Sequence, residues 1–109
     1  AAGSVLGRVW WEVLLAVLVG VRVFDLQIYG AQSLKEKRFV VRSVKDRIGQ
    51  RFNVSVAETG HQDKWQRCEL AVSVVGGDRV GVETTLDRVR DLLDGEHTLR
   101  VIDIQTDIF

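Results

Sequence analysis

The sequence of 109 residues contains no proline, no methionine, one cysteine and only 7% aromatic residues, and its 15 Lys and Arg are balanced by 15 Asp and Glu. The absence of Pro and of any low-complexity stretch, with 46% apolar and 28% charged residues, excludes a disordered chain and specifies one that buries a core. This length holds one core and is too short for two independent ones, so a single domain is expected. The lone Cys68 cannot close an internal disulfide. That removes any sequence support for an oxidising compartment, and the cytoplasm is the expected location. With no Met the initiator is missing, so residues 1–15 read as an arm that is native, a tag remnant or an upstream extension, and residues 16–109 as the domain.

Long apolar runs are also lacking. The longest, Val13 to Val21, has nine residues between Glu12 and Arg22, against the roughly 20 that a membrane-spanning helix needs. No membrane partner is expected. As a signal peptide the segment is poor: Arg8 precedes the apolar run, but Glu12 interrupts its start and the run flows into a predicted strand. Metal binding and a cofactor are not expected either, because His61 and His97 are the only histidines and no Cys/His spacing pairs with them.

What the sequence does have is clear periodicity. Val17, Val19, Val21, Val23 and Ile28 make Ala16 to Ile28 a long predicted strand. Ser33-Leu34-Lys35-Glu36 is a capping box, in which hydroxyl and carboxylate each satisfy a free backbone N–H, so a helix is expected from Ser33 to about Arg51. Leu34, Val41, Val44 and Ile48 define its buried stripe, with Val40 on the flank.

Asn53 to Gly60 alternates as a second strand, and Gln66 to Val75 as a third with Cys68, Leu70, Val72 and Val74 on the core face. The short link between them implies a hairpin. Asp78 is a helix N-cap, and Val82, Leu86, Val89 and Leu93 follow at helical spacing up to Gly95. Leu99 to Ile108 alternates Ile102, Ile104 and Ile108 with Asp103, Gln105 and Asp107, giving a fourth strand. The order βαββαβ specifies an α+β, ferredoxin-like fold: a four-stranded antiparallel sheet with both helices on one face and the other face bare. A homodimer through that open face, or through a first strand lengthened by the arm, is the expected mode of self-association.

Three strings, Ser33-Leu-Lys-Glu-Lys-Arg38, Arg51-Phe-Asn-Val-Ser-Val-Ala-Glu58 and His61-Gln-Asp-Lys-Trp-Gln-Arg67, resemble those of the YlxP-like family of small bacterial proteins of unknown function. The resemblance runs from about Val17 to Phe109 and leaves the arm outside it. It implies a ferredoxin-like fold and genomic company among translation and ribosome-maturation factors, and it supplies no established activity and no catalytic residues. Tyr29 stands where this family leads one to expect Pro, so the turn after the first strand is expected to differ.

Charge is unevenly spread despite the zero sum. Residues 33–51 hold seven Lys or Arg against Glu36 and Asp46, a local +5, and residues 78–109 hold four Arg against eight Asp or Glu, a local −4. On the first helix Lys35, Arg38, Arg42 and Lys45 recur at i, i+3, i+7 and i+10, and with Lys37 they are the cations expected to contact RNA. This stripe runs about 15 Å at 1.5 Å per residue, long enough for several phosphates. A solvated helix face is the plain alternative. A ribosomal RNA or ribosomal subunit is the expected partner, bound by charge and shape, since the second and third strands present no aromatic on the open face for stacking bases.

The second cluster is Glu58, His61, Asp63, Trp65 and Arg67, at the hairpin turn. A His beside a carboxylate can act as general base, but the segment has no Ser or accessible thiol nucleophile, so no catalytic residue is assigned. The structural alternative has Asp63 accepting backbone N–H groups, Trp65 covering an edge of the core, and Arg67 pairing with Glu58 or Glu69.

Overall fold

The computed structural model describes residues 4–5 and 7–109. In the arm, β1 (Ser4–Val5) pairs antiparallel with β2 (Arg8–Val9), and α1 (Trp10–Leu15) follows. The domain comprises β3 (Leu18–Ile28), α2 (Leu34–Arg51), β4 (Ser55–Gly60), β5 (Arg67–Gly76), α3 (Arg79–Asp94) and β6 (Leu99–Ile108). Its four strands lie in the order β4-β5-β3-β6, all antiparallel, with the first strand of the domain at the centre as the ferredoxin-like arrangement requires.

Alternation sorts the sheet into two faces. Phe24, Leu26 and Ile28 of β3, with Cys68, Leu70 and Val72 of β5, are buried against Val41, Val44 and Ile48 of α2 and Val82, Leu86, Val89 and Leu93 of α3. Gly20 permits a close approach of α3 to the sheet: a Cβ there would collide with the Val82 side chain and lie 3.1 Å from Leu86 Cδ1.

The other face carries cross-strand rows. Register places Arg67, Gln27 and Arg100 side by side, then Glu69, Asp25 and Asp103, then Ala57, Ala71, Val23 and Gln105, then Ser55, Ser73, Val21 and Asp107. One end of the open face is therefore densely charged, and the other is small or apolar except at the β6 border, where Gln105 and Asp107 stand.

Both helix caps form. Ser33 Oγ accepts from the Glu36 N–H at 3.1 Å, and Asp78 Oδ1 accepts from the Gly81 N–H at 2.7 Å. The Glu36 carboxylate reaches one residue further back than a capping box predicts, taking the Gln32 N–H at 2.6 Å.

Two expectations about the strands are corrected. The first strand of the sheet begins at Leu18, not at Ala16, because Trp10–Leu15 is helical, so the described part of the arm does not lengthen that strand. Residues 1–3 and 6 of the arm lie outside the described residues. The alternation of β6 is broken where its register with β3 shifts between Asp25 and Leu26: Val101, Ile104 and Ile108 pack toward the core, and Ile102 is 42% exposed.

The two outer strands are modified at their free edges. The Gln62 amide donates to Glu58 O at 3.1 Å on β4, whose register also shifts between Glu58 and Gly60. On β6 the Ile104 N–H is taken by Asp103 Oδ1 at 2.9 Å.

Candidate functional site

Two groups of side chains lie around α2. The first is the basic flank. At about 100° per residue, Lys35, Arg38, Arg42 and Lys45 share an arc of about 80° on one side of the buried stripe. Lys35, Arg38 and Arg42 are exposed and Lys45 is half-buried. Arg22, Lys37, Arg47, Arg67, Arg79 and Arg90 each have a carboxylate partner, as Arg47 does in Glu96 at 2.7 Å. The four cations of the flank form no ion pair among the described residues. Glu36 and Asp46 are the only acids on α2, so the helix keeps a net positive charge of +5 over residues 33–51.

Lys37 departs from expectation. It was grouped with the RNA-contacting cations, yet it is 1% exposed. It sits in phase with Val41, Val44 and Ile48, and that phase puts it on the inner face of α2. Its Nζ donates to His61 O at 2.5 Å and lies 3.0 Å from Glu58 Oε2. Lys37 is therefore a tether between α2 and the β4–β5 hairpin. The Glu58 oxygen has no directed hydrogen bond, so charge holds the pair together.

The hairpin turn is the second group. His61 adopts φ 58°, a left-handed conformation unusual for a residue with a Cβ, and its carbonyl accepts from both Lys37 Nζ and the Lys64 N–H. Its Nε2 lies 3.6 Å from Asp25 Oδ1, and Arg67 Nη2 donates to Asp25 Oδ2 at 2.6 Å. Arg67 thus pairs along the sheet with Asp25 rather than with Glu58 or Glu69. Thr59 donates to Glu69 instead, at 2.8 Å. Trp65 is 51% exposed and covers no core edge, and Asp63 is exposed with the turn closed by His61 O. The far end of the turn is pinned by the Gln66 amide on Ala31 O at 3.0 Å.

Cys68 lies on the inner face behind this turn and is fully buried. Burial pushes its thiol up from 9.0 to about 12, and the Glu58 carboxylate beside it acts in the same direction. A thiol held neutral in this way is no nucleophile at physiological pH. Among the described residues no group of three or more His, Cys, Asp or Glu is arranged to hold a metal ion. No helix among them is long and apolar enough to cross a membrane.

Residues 19–106 match the family model described as "Protein of unknown function (DUF503)". The chain belongs to this family. It is 40% identical over 77 residues to "Uncharacterized protein YlxP" of Bacillus subtilis (strain 168), an alignment covering 71% of this chain and 84% of the relative. The arm lies outside the family match.

The three family-like strings converge in space. Lys37 of the first binds Glu58 of the second and His61 of the third. Asp25, their partner on the sheet, was missed by sequence reasoning. The available signal was the one carboxylate on β3, at an outward position of a mostly apolar strand. Phe39 was also missed: it is 75% exposed on α2, four residues after Lys35 and three before Arg42.

Proposed function

We propose that the protein is a cytoplasmic accessory factor without catalytic activity that binds structured RNA or a ribosomal particle through the outer flank of α2. The observation that supports this reading is the set of four flank cations, Lys35, Arg38, Arg42 and Lys45, with no ion pair among the described residues, whereas α3 pairs two of its three Arg, Arg79 with Glu83 and Arg90 with Asp94. A row of free cations about 15 Å long on a rigid helix suits consecutive phosphates, and contact made this way follows shape and charge rather than base sequence. Lys37 contributes indirectly, by fixing the first turns of α2 against the hairpin.

The test is co-sedimentation with ribosomal subunits and purified ribosomal RNA at two salt concentrations, for the native protein and a variant with all four flank cations changed to Glu. Binding of the native protein should weaken with a log–log salt slope of about −3, the value for roughly four neutralised phosphates. The variant should lose it. Salt-insensitive binding, or binding retained by the variant, refutes the reading.

A second reading, a self-associating module, is favoured by the part of the open sheet face where Ala57, Ala71, Val21 and Val23 adjoin one another. Ala71→Arg would then convert a sedimenting dimer to monomer while charge reversal on α2 would leave it intact.

A further inference from the structure

Phe39 is not part of the core. It lies on the outer surface of α2, 75% exposed, on the same helix as Val41, Val44 and Ile48, which bury themselves completely or nearly so. Helical geometry makes its neighbours explicit. Lys35, Glu36, Arg42 and Ser43, at i−4, i−3, i+3 and i+4, stand about 5–6 Å away between Cβ atoms, and Arg38 precedes it directly; the Glu36 carboxylate is turned back to the Gln32 N–H at 2.6 Å. Beyond its other side a shallow notch of about 110 Å³ is lined by Phe39, Val40, Ser43, Arg47, Glu96 and Thr98. Arg47 and Glu96 neutralise each other at 2.7 Å within that lining, so the notch presents an aromatic wall and polar edges without net charge.

We infer that Phe39 is a base-stacking platform, and that the partner bound along α2 presents an unpaired nucleobase, single-stranded or bulged, which seats on the Phe39 ring over this notch. The inference rests on the proposed RNA-binding flank and specifies what that flank binds. An aromatic ring beside free cations matches the two chemical parts of a nucleotide, the π-face of the base and the phosphate, on adjacent positions of one rigid element. The open sheet face is a poorer place for the same task. Its row of Glu69, Asp25 and Asp103 would repel a phosphate chain running along the strands. A fully paired helix, by contrast, offers no free base to Phe39 and would engage the cations alone.

The experiment compares three fluorescently labelled RNA hairpins of equal length: fully paired, paired with one bulged nucleotide, and opened into a single strand. Because Phe39 is exposed, Phe39→Ala should fold normally, checked by thermal unfolding. It should bind the bulged and single-stranded RNAs on the order of 10-fold more weakly, since a stacked base contributes about 1–3 kcal/mol, and bind the paired RNA unchanged. In a background where Trp10, Trp11 and Trp65 are Phe, Phe39→Trp should retain the preference for unpaired RNA and show fluorescence quenching on binding it. Equal affinities of native and Phe39→Ala protein for all three RNAs, with binding still abolished by charge reversal on the flank, overturn the platform and leave the flank standing. Phe39-dependent binding that survives the charge reversal does the opposite. If the native protein binds none of the RNAs, both readings fall, and a change in self-association or protein binding on Phe39→Ala would then assign the ring to a protein contact.

Discussion

Replacing Lys37 by Met should destabilise the protein by about 3 kcal/mol, and the reasoning can be followed atom by atom. Met keeps most of the aliphatic stem that packs beside Val41 and removes the ammonium. That ammonium is 3.0 Å from Glu58 Oε2, a gross attraction of about 5 kcal/mol at an effective dielectric of about 20. Most of this is offset by the desolvation of both ions, so the attraction itself overstates the effect. What matters is the remnant: Glu58, with a side chain only 19% exposed, is left without a counter-charge, and His61 O loses its Lys37 donor. Removing one partner of a buried pair costs roughly 3–5 kcal/mol, and the residual exposure of Glu58 places this case at the lower end. In thermal unfolding the loss corresponds to a fall in Tm of about 13 °C. The double variant Lys37→Met/Glu58→Leu removes the stranded carboxylate as well and should recover to within about 1 kcal/mol of native. Urea unfolding of the three proteins measures all of this. A single variant that loses less than about 1 kcal/mol, or a double variant no better than the single, would show that the tether is not the ion pair described.

Further outcomes follow from the same geometry. Cys68 ionises at 9.0 when unfolded and at about 12 when folded, so the folded state keeps its proton over that interval. Stability from this source is complete below pH 9 and falls by about 1.4 kcal/mol per pH unit between pH 9 and 12. Cys68→Ala should show a correspondingly shallower alkaline loss in urea titrations, and an unchanged slope would refute the assignment. Gly20→Ala should cost about 1–3 kcal/mol by forcing Val82 and Leu86 outward; a neutral effect on unfolding would mean α3 shifts freely. At His61, with φ 58°, Val should cost about 1–2 kcal/mol and Gly less than about 1. Equal losses for the two would make the ring contact with Asp25, rather than the backbone, the source.

The fold was legible because its signals are local and mutually consistent. Ser33 and Asp78 announced both helices through their hydroxyl and carboxylate chemistry, and the alternation around Cys68 placed the inner face of β5 correctly. The arm was not legible: Trp10–Leu15 lacks a capping residue and buries nothing among the described residues, so neither periodicity nor burial marks its helix. The site was legible only in part. Lys35, Arg38, Arg42 and Lys45 stand where helical spacing puts them. Lys37 was grouped with them by charge, although counting back four residues from Val41 places it on the buried stripe. Long-range partners defeat a sequence-only reading for a different reason. Arg67 could reach Glu58, Glu69 or Asp25, and only the register of β3 against β5 selects Asp25.

The treatment of the sheet's two borders bears on how this protein behaves when crowded. An outer strand with free N–H and C=O groups is a template onto which another chain can crystallise as the next strand, and long runs of such additions end in fibres. Here a neighbouring amide occupies a carbonyl at Glu58, a carboxylate occupies the N–H of Ile104, and register shifts roughen both ladders. Growth of the sheet sideways is discouraged at both ends. Gln62→Ala together with Asp103→Ala should therefore leave the native fold intact yet shorten the lag before thioflavin-positive aggregates appear at high protein concentration.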